Sequence, residues 1–338
     1  MADVMGAMFH NLAIRCTTAL GVFDSPHAKG PLCNLSKLAA DGVTSRSAKI
    51  CSVSTDGATF DVHQGLNVIT AKQTQKPPIG IGTSLTIFWL IPKGKHNCRQ
   101  IPIKPLKMIP GSCYLPKPGS VRGEDAHFIC EDEQVIGVAD GVGGWSRSGI
   151  DAGEFSRELM FHAVKAIREE PKGSIDLLRH IHALNIGDSG FIVVRKGSVS
   201  FRSPMQQHFF NCPYQLASGP FSDPPTAAEV GCVNVHLCHE QEMEFGLMTG
   251  DVIVAGTDGL FDNLFDDEVV EAVLQGNKDG LSSQEMASRI ANLAWERAHD
   301  NERVTPFAVA AQDAGYGHFG GKIDDITVIV ANVADGDT

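Results

Sequence analysis

The apolar positions of this chain fall into short continuous runs that end on acidic residues and glycine. Phe128 and Ile129, then Val135, Ile136, Val138 and Ala139, read as two strands joined by an acidic turn at 131–134. The second run stops at Asp140. Gly141, Val142, Gly143 and Gly144 follow, so the backbone can turn sharply and come close to another group. Over 151–170 the period changes. Phe155, Leu159, His162, Ala163, Ala166 and Ile167 recur three and four residues apart, which predicts a helix with one apolar face, ended by Pro171 and Gly173. Leu184 and Ile186 lead through Gly187, Asp188, Ser189 and Gly190 into a run at 191–195, a β-hairpin pattern. Residues 203–231, rich in Pro, Ser and Gln, predict a long surface loop, and 233–237 a strand. A buried strand is expected at 252–255, closing on Thr257, Asp258 and Gly259. Asp266 can cap a helix over 268–274. Ser282 and Glu285 form a capping-box pattern ahead of Met286, Ile290, Leu293 and Arg297. Gly320 to Asp325 precedes a last buried strand at 326–333.

The first third of the chain has a different character. Of 338 residues, the first 110 hold 12 of the 28 Lys and Arg, 5 Asp and no Glu, a net charge of +7, while the remainder carries −19. Arg15, Lys29, Lys37, Arg46 and Lys49 lie among Ser, Thr and Ala, a composition compatible with an organellar targeting segment or with a disordered tail. The run at 84–91, SLTIFWLI, is the most apolar stretch here. It is far shorter than the ~20 residues of a transmembrane helix, so no membrane span is expected. Pro77, Pro78, Pro92, Pro102, Pro105 and Pro110 read as linker, and the domain boundary is expected between an extension at 1–106 and a domain at 107–338. The acidic body argues against a nucleic-acid partner, and a monomer is expected. Nine Cys without a CxxC pair favour reduced thiols.

Asp140, Asp258 and the pair Asp324/Asp325 each border a core strand and a glycine turn, and Glu124 and Asp125 precede the strand beside Asp140. If those strands share one region, their carboxylates converge. Such a cluster either takes up protons or binds a cation. All-oxygen ligation suits Mg2+ or Mn2+ better than Zn2+. A pair of such ions can generate a hydroxide nucleophile and offset charge on a phosphoryl group. GDSG at 187–190 is superficially protease-like, but no histidine motif supports that chemistry.

Six separated motifs then occur in a familiar order: GEDAHF, VADGVGGW, LNIGDSGFIVVR, QQHFFNCPYQL, DVIVAGTDGLFDN and GGKIDDITVIV. Together they resemble the metal-dependent type 2C serine/threonine protein phosphatases, most closely the plant organellar branch, over about 109–333. The resemblance implies an α+β fold, a β-sandwich of two antiparallel sheets flanked by helix pairs. It also implies a phosphoprotein substrate and two Mn2+ or Mg2+ ions per domain. Asp140 would bridge the ions, Gly141 would offer its carbonyl, and Asp258 and Asp324 would hold one ion. Glu124 and Asp125 would support the other side through water. The spacing leaves Asp324 and Asp325 both open as ligand, although Asp324 matches the family position. Arg122 is the nearest candidate for the family's phosphate-binding arginine, in a shifted register.

Two departures stand out. Val142 replaces a histidine that many members carry after the Asp-Gly pair. In addition, 173–182 runs almost directly into the next strand, where relatives carry another helix and a Gly-Ser-Ser-Thr strand. The expected domain therefore lacks one helix and one strand. A lost helix burying ~400 Å² of apolar surface forfeits on the order of 10 kcal/mol, comparable to the ~5–15 kcal/mol stability of a whole domain. The leading function is hydrolysis of phosphoserine and phosphothreonine in proteins. The alternative is a shortened, catalytically impaired form that binds phosphoproteins or regulates.

Overall fold

The computed structural model describes residues 51–55, 58–61, 82–91, 106–120, 122–141, 151–169, 180–217, 232–233 and 246–336. The strands are, in chain order, β1 (Cys51–Thr55), β2 (Ala58–Asp61), β3 (Gly82–Ile91), β4 (Leu106–Leu115), β5 (Ala126–Cys130), β6 (Val135–Gly141), β7 (His180–Ile186), β8 (Gly190–Arg195), β9 (Ser198–Arg202), β10 (Gln207–Phe209), β11 (Cys212–Pro213), β12 (Leu216–Ala217), β13 (Cys232–Val233), β14 (Val252–Gly256) and β15 (Ile326–Asp335). The helices are α1 (Ala152–Glu169), α2 (Asp258–Phe261), α3 (Asp266–Asp279), α4 (Ser283–Ala298) and α5 (Pro306–Asp313).

Two antiparallel sheets form the centre. One runs β13-β7-β3-β6-β5-β1-β2, with β12 also paired to β3; the other runs β4-β15-β14-β8-β9. Period-two alternation explains why both faces of the second sheet are apolar. On β14, Ile253 and Ala255 meet Ile136, Val138 and Phe191 between the sheets. Val252 and Val254 point the other way, into a cluster with Val269 and Val273 of α3 and Met286 and Ile290 of α4. On the first sheet, α1 lies against β5 and β6 and buries Phe155, Leu159, Met160, Ala163 and Val164. The order of layers is helix, sheet, sheet, helix, as expected.

The ends of the elements follow local chemistry. Ser282 caps α4 through a reciprocal box with Glu285, as its sequence predicts. For α3 the cap is Phe265, one residue before the expected Asp266, and Glu268 Oε2 accepts from the Phe265 amide at 3.2 Å. Gly280, at φ 70°, ends that helix in the left-handed conformation that glycine adopts without steric cost. The strand expected at 233–237 is seen only as Cys232–Val233, and 234–237 lie outside the described residues.

The first third contributes strands to the first sheet. The apolar run at 84–91, which falls within the extension expected at 1–106, belongs to β3, the shared partner of β6 and β7, with Ser84 opposite Asp140 and Leu85 opposite Ile186. In the sheet, β3, a segment from far upstream, lies between β6 and β7. A domain beginning at 107 would leave β6 and β7 without this partner and would cut into β4. Pro110 lies within β4, opposite Ala331. That strand is at the edge of its sheet, where the missing N–H of proline costs least. Cys130 is disulfide-bonded, contrary to the expectation of reduced thiols, and its register partner on β1 is Cys51. Cys113 and Cys212 are free. Residues 1–50, which carry the targeting-like composition, lie outside the described residues. Among the described residues no helix is long and apolar enough to cross a membrane.

Candidate metal centre

Three carboxylates meet at one end of the sandwich. Asp140 stands at the end of β6, Asp188 in the turn between β7 and β8, and Asp258 in the first turn of α2. One potential ligand atom from each lies within 4.8 Å of the others. The backbone around them is tightly packed. The Gly141 amide donates to the Glu124 carbonyl at 3.1 Å, and a Cβ on Gly141 would come within 2.6 Å of that oxygen and 2.7 Å of the Ala152 carbonyl. Glycine is required there by close approach. At Gly187, φ is 90° and a Cβ would lie 2.5 Å from that of Ser84. The same β3 residue joins its hydroxyl to Ser189 at 2.7 Å, so β3 braces the turn that carries Asp188.

Proximity and burial act together on these acids. Asp140 is pushed well above the usual carboxylate range by burial, then by the negative charges of Asp258, Asp125, Asp324 and Asp188. Asp258 is raised by burial as well, against the opposing pull of Lys322. Asp188 is pushed up to about 6, mainly by burial and by Asp262. Its Oδ2 accepts from Gln207 Nε2 at 3.0 Å, while its Oδ1 is buried without a hydrogen-bond partner. An orphaned carboxylate oxygen inside an all-oxygen acidic cluster fits a hard divalent cation.

Two lysines also enter the cluster. Lys322 Nζ lies 2.5 Å from Asp258 Oδ2, 2.8 Å from Asp262 Oδ2 and 3.3 Å from Asp324 Oδ2. Lys117 Nζ lies 2.5 Å from Glu124 Oε2 and 3.5 Å from Asp324 Oδ1. Burial works against the charge on both, but the surrounding carboxylates outweigh it and raise both pKa values.

Among proteins of known kind, the chain is 46% identical over 285 residues to probable protein phosphatase 2C 55 of Arabidopsis thaliana, a match covering 76% of this chain. It is 35% identical over 263 residues to the human protein phosphatase PTC7 homolog, covering 65% of this chain and 83% of that protein. The chain belongs to the protein phosphatase 2C family. It spans 58% of the length of phosphatase 2C 55 and, at 47% identity, 60% of probable protein phosphatase 2C 80 from the same plant. Among solved structures, the photosystem II phosphatase PBCP is similar at 29% identity and a TM-score of 0.51, covering 67% of this chain and 98% of that one. No family model matches the chain.

Within this phosphatase 2C fold the other acids named from sequence take different places. Asp325 is buried and holds the backbone: its Oδ1 accepts from the Lys117 amide at 2.9 Å and its Oδ2 from the Glu124 amide at 2.8 Å. Asp324 instead reaches both lysines. Asp125 is buried, and its Oδ2 accepts from Thr257 and Thr327, each at 2.7 Å. Its Oδ1 is a second orphaned oxygen, and burial together with Asp325 pushes its pKa up to about 8. Glu124 turns its side chain to Lys117. Arg122 is exposed, and its carbonyl accepts from the Tyr114 hydroxyl at 3.0 Å. Val142 lies outside the described residues. Sequence reading passed over Asp188, Asp262 and Lys322. The signal for Asp188 was present, because it too is an aspartate in a glycine turn at the end of a strand.

Proposed function

We propose that this chain is a metal-dependent protein phosphatase that hydrolyses phosphoserine and phosphothreonine esters. The observation that carries this reading is the convergence of Asp140, Asp188 and Asp258 within 4.8 Å, in a fold shared with the protein phosphatase 2C family. Asp140, Asp188, Asp258 and Asp324 are the proposed holders of two Mn2+ or Mg2+ ions. When bound, such ions lower the pKa of water and offset charge on phosphoryl oxygens. Asp125 and Asp325 are better suited to positioning than to ligation. One ties α2 to β15 through two threonine hydroxyls, and the other fixes the backbone at Lys117 and Glu124. This division favours Asp324 over Asp325 as the ligand. Gly141 lets the β6 exit pass the Glu124 carbonyl and the start of α1 without a clash, which fixes where Asp140 sits. Arg122, on the exposed turn leading into Glu124, is the proposed contact for the substrate phosphate.

Asp140→Asn keeps the shape of the side chain and removes its charge. It should abolish Mn2+-dependent turnover of p-nitrophenyl phosphate and of a phosphothreonine peptide while thermal unfolding remains cooperative. Full turnover by this variant would refute the reading. A silent phosphoprotein-binding module would instead hold phosphopeptide without metal-dependent turnover by the wild-type chain.

A further inference from the structure

Lys322 is held in place from three directions. Asn263, fully buried, accepts from the Lys322 amide through Oδ1 and donates to the Lys322 carbonyl through Nδ2, both at 2.9 Å. The same Nδ2 also lies 2.9 Å from the Gly259 carbonyl in α2. The ring of Phe307 faces the ammonium at 5.2 Å, and Asp258, Asp262 and Asp324 surround it on the acidic side. A lysine clamped at its backbone and enclosed at its tip is a preorganised charge rather than a mobile side chain.

We propose that Lys322 is a positioning residue that serves as a fixed internal cation, occupying the Asp262 side of the cluster and thereby weakening divalent-ion binding and keeping it away from Asp262. This rests on reading the cluster as a cation site. The physical basis is twofold. An ammonium and a dication a few ångströms apart repel strongly in a partly desolvated site. The Asp258 oxygen that accepts from Lys322 is also less available to an ion. When no ion is bound, the same ammonium offsets repulsion among Asp258, Asp262 and Asp324.

The test is titration of Mn2+ into the full chain by calorimetry, with thermal unfolding followed with and without Mn2+. Lys322→Met should bind Mn2+ about tenfold tighter or more, since a repulsive charge is gone. Its Tm without metal should fall, and the rise in Tm on adding Mn2+ should exceed that of wild type. Lys322→Arg, which keeps the charge, should bind Mn2+ like wild type. Equal or weaker binding by the Met variant overturns the proposal. So does a Tm lowered equally with and without Mn2+, the pattern of a purely structural lysine. If Lys322→Met does not give folded protein, Lys322→Gln removes the charge while keeping a hydrogen-bond donor, and the same comparison applies. Failure of the underlying reading looks different: wild type would then bind no Mn2+ at all, which would overturn both.

Discussion

His127 gives the fold a pH dependence of predictable sign. It lies on β5, 3% exposed, with Nε2 3.0 Å from the Ser112 hydroxyl of β4 and Nδ1 without a hydrogen-bond partner. Burial lowers its pKa from 6.5 to about 4, so the ring is neutral in the fold. Between those values the unfolded chain binds a proton that the folded chain refuses. The contribution of His127 to stability is therefore complete above pH 6.5 and is lost as pH falls toward 4. At about 1.4 kcal/mol per pH unit, the shift corresponds to about 3 kcal/mol. Asp125 and Asp188 act in the opposite sense. Their pKa values are raised to about 8 and about 6, so the folded chain holds more protons than the unfolded one and they favour folding as pH falls. Comparison with His127→Gln removes their contribution, because both proteins share it. Urea unfolding of the two, in chelator, at steps from pH 7.5 to 4.5, is the assay. Wild type should lose stability relative to the variant across that range. A difference that stays flat would show that His127 is not held neutral, and the reasoning would fail.

Two further outcomes follow from the packing. Arg195 donates to both oxygens of Asp251, at 2.8 and 2.7 Å, and Asp251 is 1% exposed. Arg195→Ala leaves that carboxylate buried without its cation and should cost about 3–5 kcal/mol in urea unfolding; a loss below about 1 kcal/mol would contradict the pairing. The second concerns β3. Removing residues 1–91 takes away the strand shared by β6 and β7 and the Ser84 brace on the Asp188 turn. The truncated chain should unfold at lower temperature and less cooperatively than one starting at residue 80, by calorimetry. Identical melts would mean that β3 contributes nothing to the sheet.

The sequence by itself determined the elements with strong local signals. β14 and β15 are continuous apolar runs with turn residues on either side, and such runs are buried whatever surrounds them. α4 is announced by Ser282 and Glu285, because a capping box is made within four residues. Asp140 and Asp258 were conspicuous because each closes such a run beside a glycine. Tertiary structure alone decided the rest. Nothing local shows that 82–91 lies between β6 and β7, since the Ser84–Ser189 contact spans 105 residues. Nothing local separates Asp324 from its neighbour either: one reaches two ammonium groups and the other binds backbone amides 201 and 208 positions away. Lys322 was hidden for the same reason. Propensity and patterning act within a few residues, whereas the direction of a side chain and the charges it meets depend on strand register and on how the layers stack.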